Sequence, residues 1–211
     1  MTILLTGFEP FADDATNPSG DAVRLIAERW AGPETLVAEV LPVIFTKASA
    51  RLGVLIAQHS PTVIVAVGLA GGRTAVTPER VAINLADARI PDNDGDRPLD
   101  QPIVDGGPAA YFATLPVKAM TAAIAEAGVP AALSHSAGTF VCNHVMFTAL
   151  HETAGIDGIR AGFVHVPYAT EGAPEGAFAL PLNDIVHGLE AALRAAIDSP
   201  VNAALPGGTL H

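Results

Sequence analysis

Short, nearly unbroken apolar runs recur along the chain, and most are followed by a stretch whose apolar positions return every three to four residues. The first run, residues 3–7, ends at a glycine. Asn17-Pro18-Ser19 then opens a helix, because asparagine can cap it and proline suits the first helical position. Val23, Ile26, Ala27 and Trp30 follow as one face of that helix. Residues 35–43 read as a second strand and 47–58 as a second helix. Residues 62–68 (TVIVAVG) are β-branched and almost wholly apolar, as a strand covered on both faces should be. Further strands are predicted over 80–88, 131–136 and 159–166, and helices over 116–127, 142–153 and 182–197. No internal repeat is visible. The alternation predicts a three-layer α/β/α sandwich around a mostly parallel, mixed central sheet.

Two stretches break the rhythm. Residues 91–108 (PDNDGDRPLDQPIVDGGP) are crowded with Pro, Gly and Asp, and read as a long surface loop. Loops of that length are usually functional or mobile, so a mobile rim over the site is expected. Residues 199–211 lack periodicity and read as a loose tail, leaving one domain over 1–198.

Composition narrows the partners. Half the residues are hydrophobic and 16% are charged, the balance of a chain that folds. The formal net charge of -11 repels phosphate backbones and no Lys/Arg cluster offsets it, so nucleic acid is not an expected partner. No apolar run approaches the roughly 18 residues of a membrane span. The start of the chain lacks the basic residues and cleavage site of a signal peptide, and a cytoplasmic location is expected. The single cysteine, Cys142, excludes an internal disulfide framework and a multi-cysteine zinc site.

Cys142 stands where an apolar helical pattern begins, just after a Gly138-Thr139 turn. A thiol at a helix N-terminus faces unpaired N–H groups that favour thiolate and could hold an oxyanion. Equally, Cys142 shares a helical face with Val145, Met146 and Ala149, as a small core residue would. His165 lies near the end of an apolar strand, suited to a general base or to the core. Glu79 precedes a strand and could orient that base or simply pair with Arg80. Cys142, His144 and His151 are spaced too awkwardly to share an ion, and no metal site is expected. The run Gly68-Leu69-Ala70-Gly71-Gly72-Arg73 lacks the spacing of a phosphate cradle and fits a tight turn beside a ligand. Phe8 and Phe11 sit on the loop after the first strand, where open α/β sheets bind ligands, or serve as core plugs. Arg89 could pair with Asp87 or Asp92. The residues taken singly leave these alternatives open.

Taken in order, GFEPF and NPS, GLAGGR and TPERVAIN, DARIPDN, and SAGTFVCNHVMF resemble the pyroglutamyl peptidase type I family over residues 3 to about 197. The resemblance implies a cysteine exopeptidase that removes N-terminal pyroglutamate from peptides, with no cofactor and often as a homotetramer. It places the catalytic Cys, His and Glu on Cys142, His165 and Glu79. It also points to Phe8, Phe11, Ile90, Phe140 and Val141 for the apolar pocket, Asn17 as a brace of the first loop, and Arg89 near the reacting carbonyl. Leu69 stands where the family commonly has glutamine, and Ala12-Asp13 where it has Gly-Gly. Two other classes are compatible with the architecture: a nucleoside phosphorylase or hydrolase, with Arg73 toward phosphate, and a pyroglutamyl-peptide binder without turnover.

Overall fold

The computed structural model describes residues 1–12, 14–199, 202 and 204–208. Its central sheet has the order β2-β1-β3-β7-β4. Strands β1 (Thr2–Phe8), β2 (Thr35–Leu41), β3 (Val63–Leu69) and β7 (Arg160–Val166) run parallel, and the two-residue β4 (Thr77–Pro78) is antiparallel to β7. Helices α1 (Pro18–Arg29), α3 (Val117–Glu126) and α5 (Leu182–Asp198) pack together, while α2 (Phe45–His59) packs on α4 (Val141–Glu152). With both faces covered, β1, β3 and β7 need apolar side chains on both sides, which is why they read as unbroken runs. Ile3, Leu4, Leu5, Val63, Ile64, Val67, Phe163 and Val164 are all fully buried. The expected three-layer α/β sandwich is the observed one.

The expected cap of α1 is present. Asn17 Oδ1 accepts from Ser19 N (3.1 Å) and Ser19 Oγ (2.8 Å), while its Nδ2 donates to Glu9 O (2.8 Å). Two glycines let this helix start press against the end of β1. A Cβ on Gly7 would lie 2.5 Å from Ser19 O, and one on Gly20 2.4 Å from Phe8 O. That close approach rotates the buried face toward Ser19, Ala22, Val23 and Ile26, leaving Ala27 exposed although its spacing predicted otherwise.

Two predicted strands are shorter than expected. Within 80–88 only β5 (Val81–Ile83) is a strand, paired with β6 (Ala110–Phe112) in a separate two-stranded sheet. Residues 131–136 form only isolated bridges, Val76 with Ala131 and Glu79 with Ser134. Pro78 donates no backbone hydrogen bond, so the segment entering from β4 cannot continue a regular ladder there. A further small pair, β8 (Tyr168–Ala169) with β9 (Ala179–Leu180), follows β7.

The stretch 91–108 is a loop, as predicted, but it is pinned rather than free. Asp92, 5% exposed, accepts from the backbone N–H of Phe45 (3.0 Å), Asp94 (2.9 Å) and Asp96 (2.9 Å). Helix α2 lacks a capping side chain of its own, so Asp92 supplies the acceptor from a distant segment. Asn93 donates to Val43 O (3.0 Å) and Pro10 O (3.0 Å), and Asn84 Oδ1 accepts from Ile103 N and Val104 N (2.8 and 2.9 Å). Asp92→Ala would leave buried donors unpaired and is expected to lower stability by about 2–3 kcal/mol in denaturant melts. A loss below about 0.5 kcal/mol would mean that other acceptors replace the carboxylate.

Of the expected tail, residues 200, 201, 203 and 209–211 lie outside the described residues. Asn202 Oδ1 accepts from Lys118 N (3.1 Å), and Leu205 O from Lys118 Nζ (2.7 Å). Among the described residues no helix is long and apolar enough to cross a membrane.

Candidate active site

Cys142 sits in the first turn of α4, half-buried, and among the described residues no side chain caps that helix. The first N–H groups of a helix have no partner within it, so the sulfur stands in the positive field of the helix start. The turn before it is held by two bonds between Thr139 and Asp87: Thr139 Oγ1 donates to Asp87 O (2.7 Å) and Asp87 N to Thr139 O (3.0 Å). The residue after it is fixed to β5. Asn143 Oδ1 accepts from Ile83 N (3.0 Å), and its Nδ2 donates to Ile83 O (2.9 Å) and Leu85 O (3.1 Å).

His165, 4% exposed, is the penultimate residue of β7, directly opposite Gly68 in β3. Residues paired in register point to the same face of a sheet, so glycine opposite the imidazole leaves a gap beside the ring. The sulfur occupies it: a Cβ on Gly68 would lie 2.8 Å from Cys142 Sγ and 2.7 Å from Phe163 Cζ. Gly68→Ala must therefore push the sulfur away or strain a packed ring. A displacement of that order is expected to cost about 100-fold in kcat/KM, with a stability loss of about 1–3 kcal/mol. Wild-type turnover by this variant would mean that the sulfur need not lie against the sheet.

Glu79 follows β4 and is completely buried, its N–H donating to Phe163 O (2.9 Å). Its Oε1 lies 2.7 Å from His165 Nδ1. The same oxygen accepts from Arg73 Nη2 (3.1 Å), which also donates to Ser136 O (3.0 Å). Arg80, the pairing partner that adjacency suggested, instead holds its guanidinium 5.2 Å from the centre of the Phe112 ring. With Nδ1 turned to Glu79, the imidazole keeps Nε2 for Cys142. Burial opposes a charge on His165, but the Cys142 sulfur beside it and then Glu79 outweigh that cost and raise its pKa to about 9.

An apolar cleft of about 400 Å³, mouth included, opens beside the sulfur. Phe8, Phe11, Asn17, Leu69, Phe140 and Val141 line it with Cys142. Phe11 and Phe140 pack with ring centres 5.2 Å apart, and Phe45 supports Phe140 edge-on at 5.0 Å. The amide of Asn17 is committed to Glu9 and Ser19, so it braces the wall. Arg89 and Ile90 do not line this cleft. They border an adjoining opening with Asp87 and Thr139, on which Phe140 also opens. Sequence reasoning missed Asp14 and Val43, which complete the cleft. Asp14 accepts from Tyr168 Oη (3.4 Å), and nothing in its spacing marked it. His144 and His151 look elsewhere. The first meets the Phe45 ring and is pushed down to about 4 by burial, and the second lies 2.9 Å from Tyr111 Oη.

A sulfur at a helix mouth, an imidazole and a buried carboxylate in series beside an apolar cleft define a cysteine-type hydrolase. Comparison with known proteins agrees. Residues 1–199 match the family model described as pyroglutamyl peptidase. A pyrrolidone-carboxylate peptidase of Clavibacter michiganensis subsp. michiganensis is 52% identical over 172 residues, 82% of this chain and 81% of that protein. One of Pectobacterium carotovorum subsp. carotovorum is 47% identical over 213 residues, covering 100% and 99%. The crystal structure of pyroglutamyl peptidase I from Bacillus amyloliquefaciens superposes with a TM-score of 0.93 at 42% identity, over 97% of this chain and 99% of that one. The chain belongs to the pyroglutamyl peptidase family. Neither the nucleoside reading nor the silent-binder reading gains support, and Arg73, its one phosphate candidate, is tied to Glu79 and Ser136.

Proposed function

We propose that this protein hydrolyses the amide bond after an N-terminal pyroglutamate, with Cys142 as nucleophile, His165 as acid and base, and Glu79 as the group that orients His165. The observation that carries the reading is the buried 2.7 Å contact between Glu79 and an imidazole that shares its site with the only cysteine. In this reading the Cys142 sulfur, as thiolate, attacks the pyroglutamyl carbonyl carbon and its oxygen becomes an oxyanion. Free N–H groups at the start of α4 face that charge, and such a donor is typically worth about 3–4 kcal/mol. As the C–N bond breaks, His165 gives its Nε2 proton to the departing amine, leaving a thioester on Cys142. Water then attacks the thioester while His165 accepts its proton, and pyroglutamate leaves as the sulfur recovers its electron pair.

The cleft suits this substrate. Pyroglutamate presents a flat, neutral lactam with no cationic amine, which favours the walls of Phe8, Phe11 and Phe140 over a carboxylate-lined amine site. The decisive assay is release of a chromophore from a pyroglutamyl amide, with the prolyl amide as control. Release from the first alone supports the proposal; equal release from both removes the lactam specificity, and no release from either removes the activity. We further propose one domain over residues 1–198, cytoplasmic residence, homotetrameric assembly and no nucleic-acid partner, supported by the family resemblance and the charge of -11. Light scattering that gives a monomer would remove the assembly.

A further inference from the structure

The glycine-rich run Gly68–Arg73 reads from its sequence as a tight turn beside a ligand, and the structure gives its arginine a place beside the candidate triad. Arg73 N donates to Ala70 O (2.9 Å), closing a tight turn. Gly71 is required there, because a Cβ would lie 2.4 Å from the Tyr168 ring. The turn sends the Arg73 side chain, 30% exposed, onto two acceptors: the wholly buried Glu79 Oε1 and the Ser136 carbonyl. Ser136 lies in the segment that leads into α4, where Cys142 stands. Among the described residues Glu79 Oε2, which is buried, has no hydrogen-bond partner, so the carboxylate's partners converge on one oxygen.

We infer that Arg73 is a positioning residue of the triad: it fixes which Glu79 oxygen faces His165 and ties that carboxylate to the segment before the nucleophile. The inference rests on the proposed peptidase reading, but its physical content does not depend on turnover. Arg73 reaches Glu79 and not the cleft, so it acts through the carboxylate. Two charged groups bear directly on the imidazole, Cys142 from α4 and Glu79 from the end of β4, and Arg73, from the turn after β3, reaches it through the Glu79 oxygen that both share. Arg73 is the cation among them, so it opposes a second positive charge on His165 and favours negative charge on the sulfur. Replacing it by a neutral residue should therefore move both limbs of any pH profile upward. Loss of Glu79 should move the alkaline limb down, so the two partners of the same contact carry opposite signatures.

The test is the pH dependence of iodoacetamide alkylation, which reports on Cys142 alone because the chain has one cysteine. Hydrolysis of a pyroglutamyl amide is measured beside it. Arg73→Met is expected to shift both alkylation limbs up by about half a unit to one unit, and to lower kcat about 10- to 100-fold with a smaller change in KM. Arg73→Lys should return the limbs to the wild-type position while recovering only part of kcat, since a single ammonium cannot reproduce the guanidinium fork. Limbs that stay in place, or move down, would overturn the inference and leave Arg73 a merely structural residue. If Arg73→Met gives no cooperative melt, Arg73→Gln under the same two readings decides the matter. A wild-type protein that releases no chromophore would instead refute the peptidase reading, and the alkylation profiles would still judge Arg73.

Discussion

Cys142→Ser is expected to reduce release from a pyroglutamyl amide by at least about 10⁴-fold, because it deletes the proposed nucleophile, and loss of a triad's nucleophile eliminates nearly all its chemical advantage. The hydroxyl is far less acidic than the thiol it replaces, and the imidazole beside it loses a partner that stabilised its proton. The side chain is half-buried and similar in size, so the thermal melt should move by only a few degrees. Turnover within about tenfold of wild type would leave Cys142 a helix residue and move the chemistry elsewhere. A parallel loss of fold and activity would be uninformative about chemistry, so melts accompany the assay. Binding of a pyroglutamyl peptide to the inactive variant then separates loss of chemistry from loss of the cleft.

The second large effect is that of Glu79→Gln, which keeps the shape of the side chain and removes its charge. Loss of the orienting carboxylate in such a series costs about 10³- to 10⁴-fold in kcat. It should also change the pH dependence in one direction only. Two influences now raise His165, the sulfur and Glu79, and the variant deletes the second. The alkaline limb of kcat/KM, expected near 9 in the wild type, should therefore fall. Stability follows the same group. Folded His165 binds its proton more tightly, at about 9, than the unfolded 6.5, so the resulting stabilisation is complete below about 6.5 and lost as pH rises through about 9. In Glu79→Gln that stabilisation should be smaller and its loss, still starting near 6.5, should be complete at lower pH. An alkaline limb that stays near its wild-type position would show that Glu79 does not set the state of His165.

What could be read in the chain depended on whether the responsible contact was local. β1, β3 and β7 are legible because burial on both faces leaves an unbroken apolar run, and the cap at Asn17 because all its atoms lie within a few residues. The division of residues 80–88 is not legible: β5 takes its partner from β6, 27 residues on in the pairing of Ile83 with Ala110, across the Pro- and Gly-rich loop. Nor is the capping of α2 by Asp92, 47 residues from the N–H of Phe45 that it accepts. The residues proposed for the triad stood in recognisable motifs, but which contacts they make in space was not legible. Adjacency suggested that Glu79 pairs with Arg80, whereas neighbours on an extended chain point to opposite sides. That geometry sends Arg80 outward over Phe112 and leaves the inward place to Arg73. Arg89 and Ile90 stand in a recognisable motif yet open on a different side of Phe140 from the cleft.

The pinned loop has a consequence for how substrate arrives. Asn93 joins the carbonyl of Pro10, between Phe8 and Phe11, to that of Val43, so one side chain and its backbone clamp two walls of the cleft at once. A vestibule clamped in this way is preformed, and a ring bound there as proposed would enter a mould already cast. Uptake should then follow a single concentration-dependent phase, with no slow rearrangement before the first bond is made. Discrimination falls to the fit of the mould, and a six-membered lactam, one methylene larger, should be refused at the door.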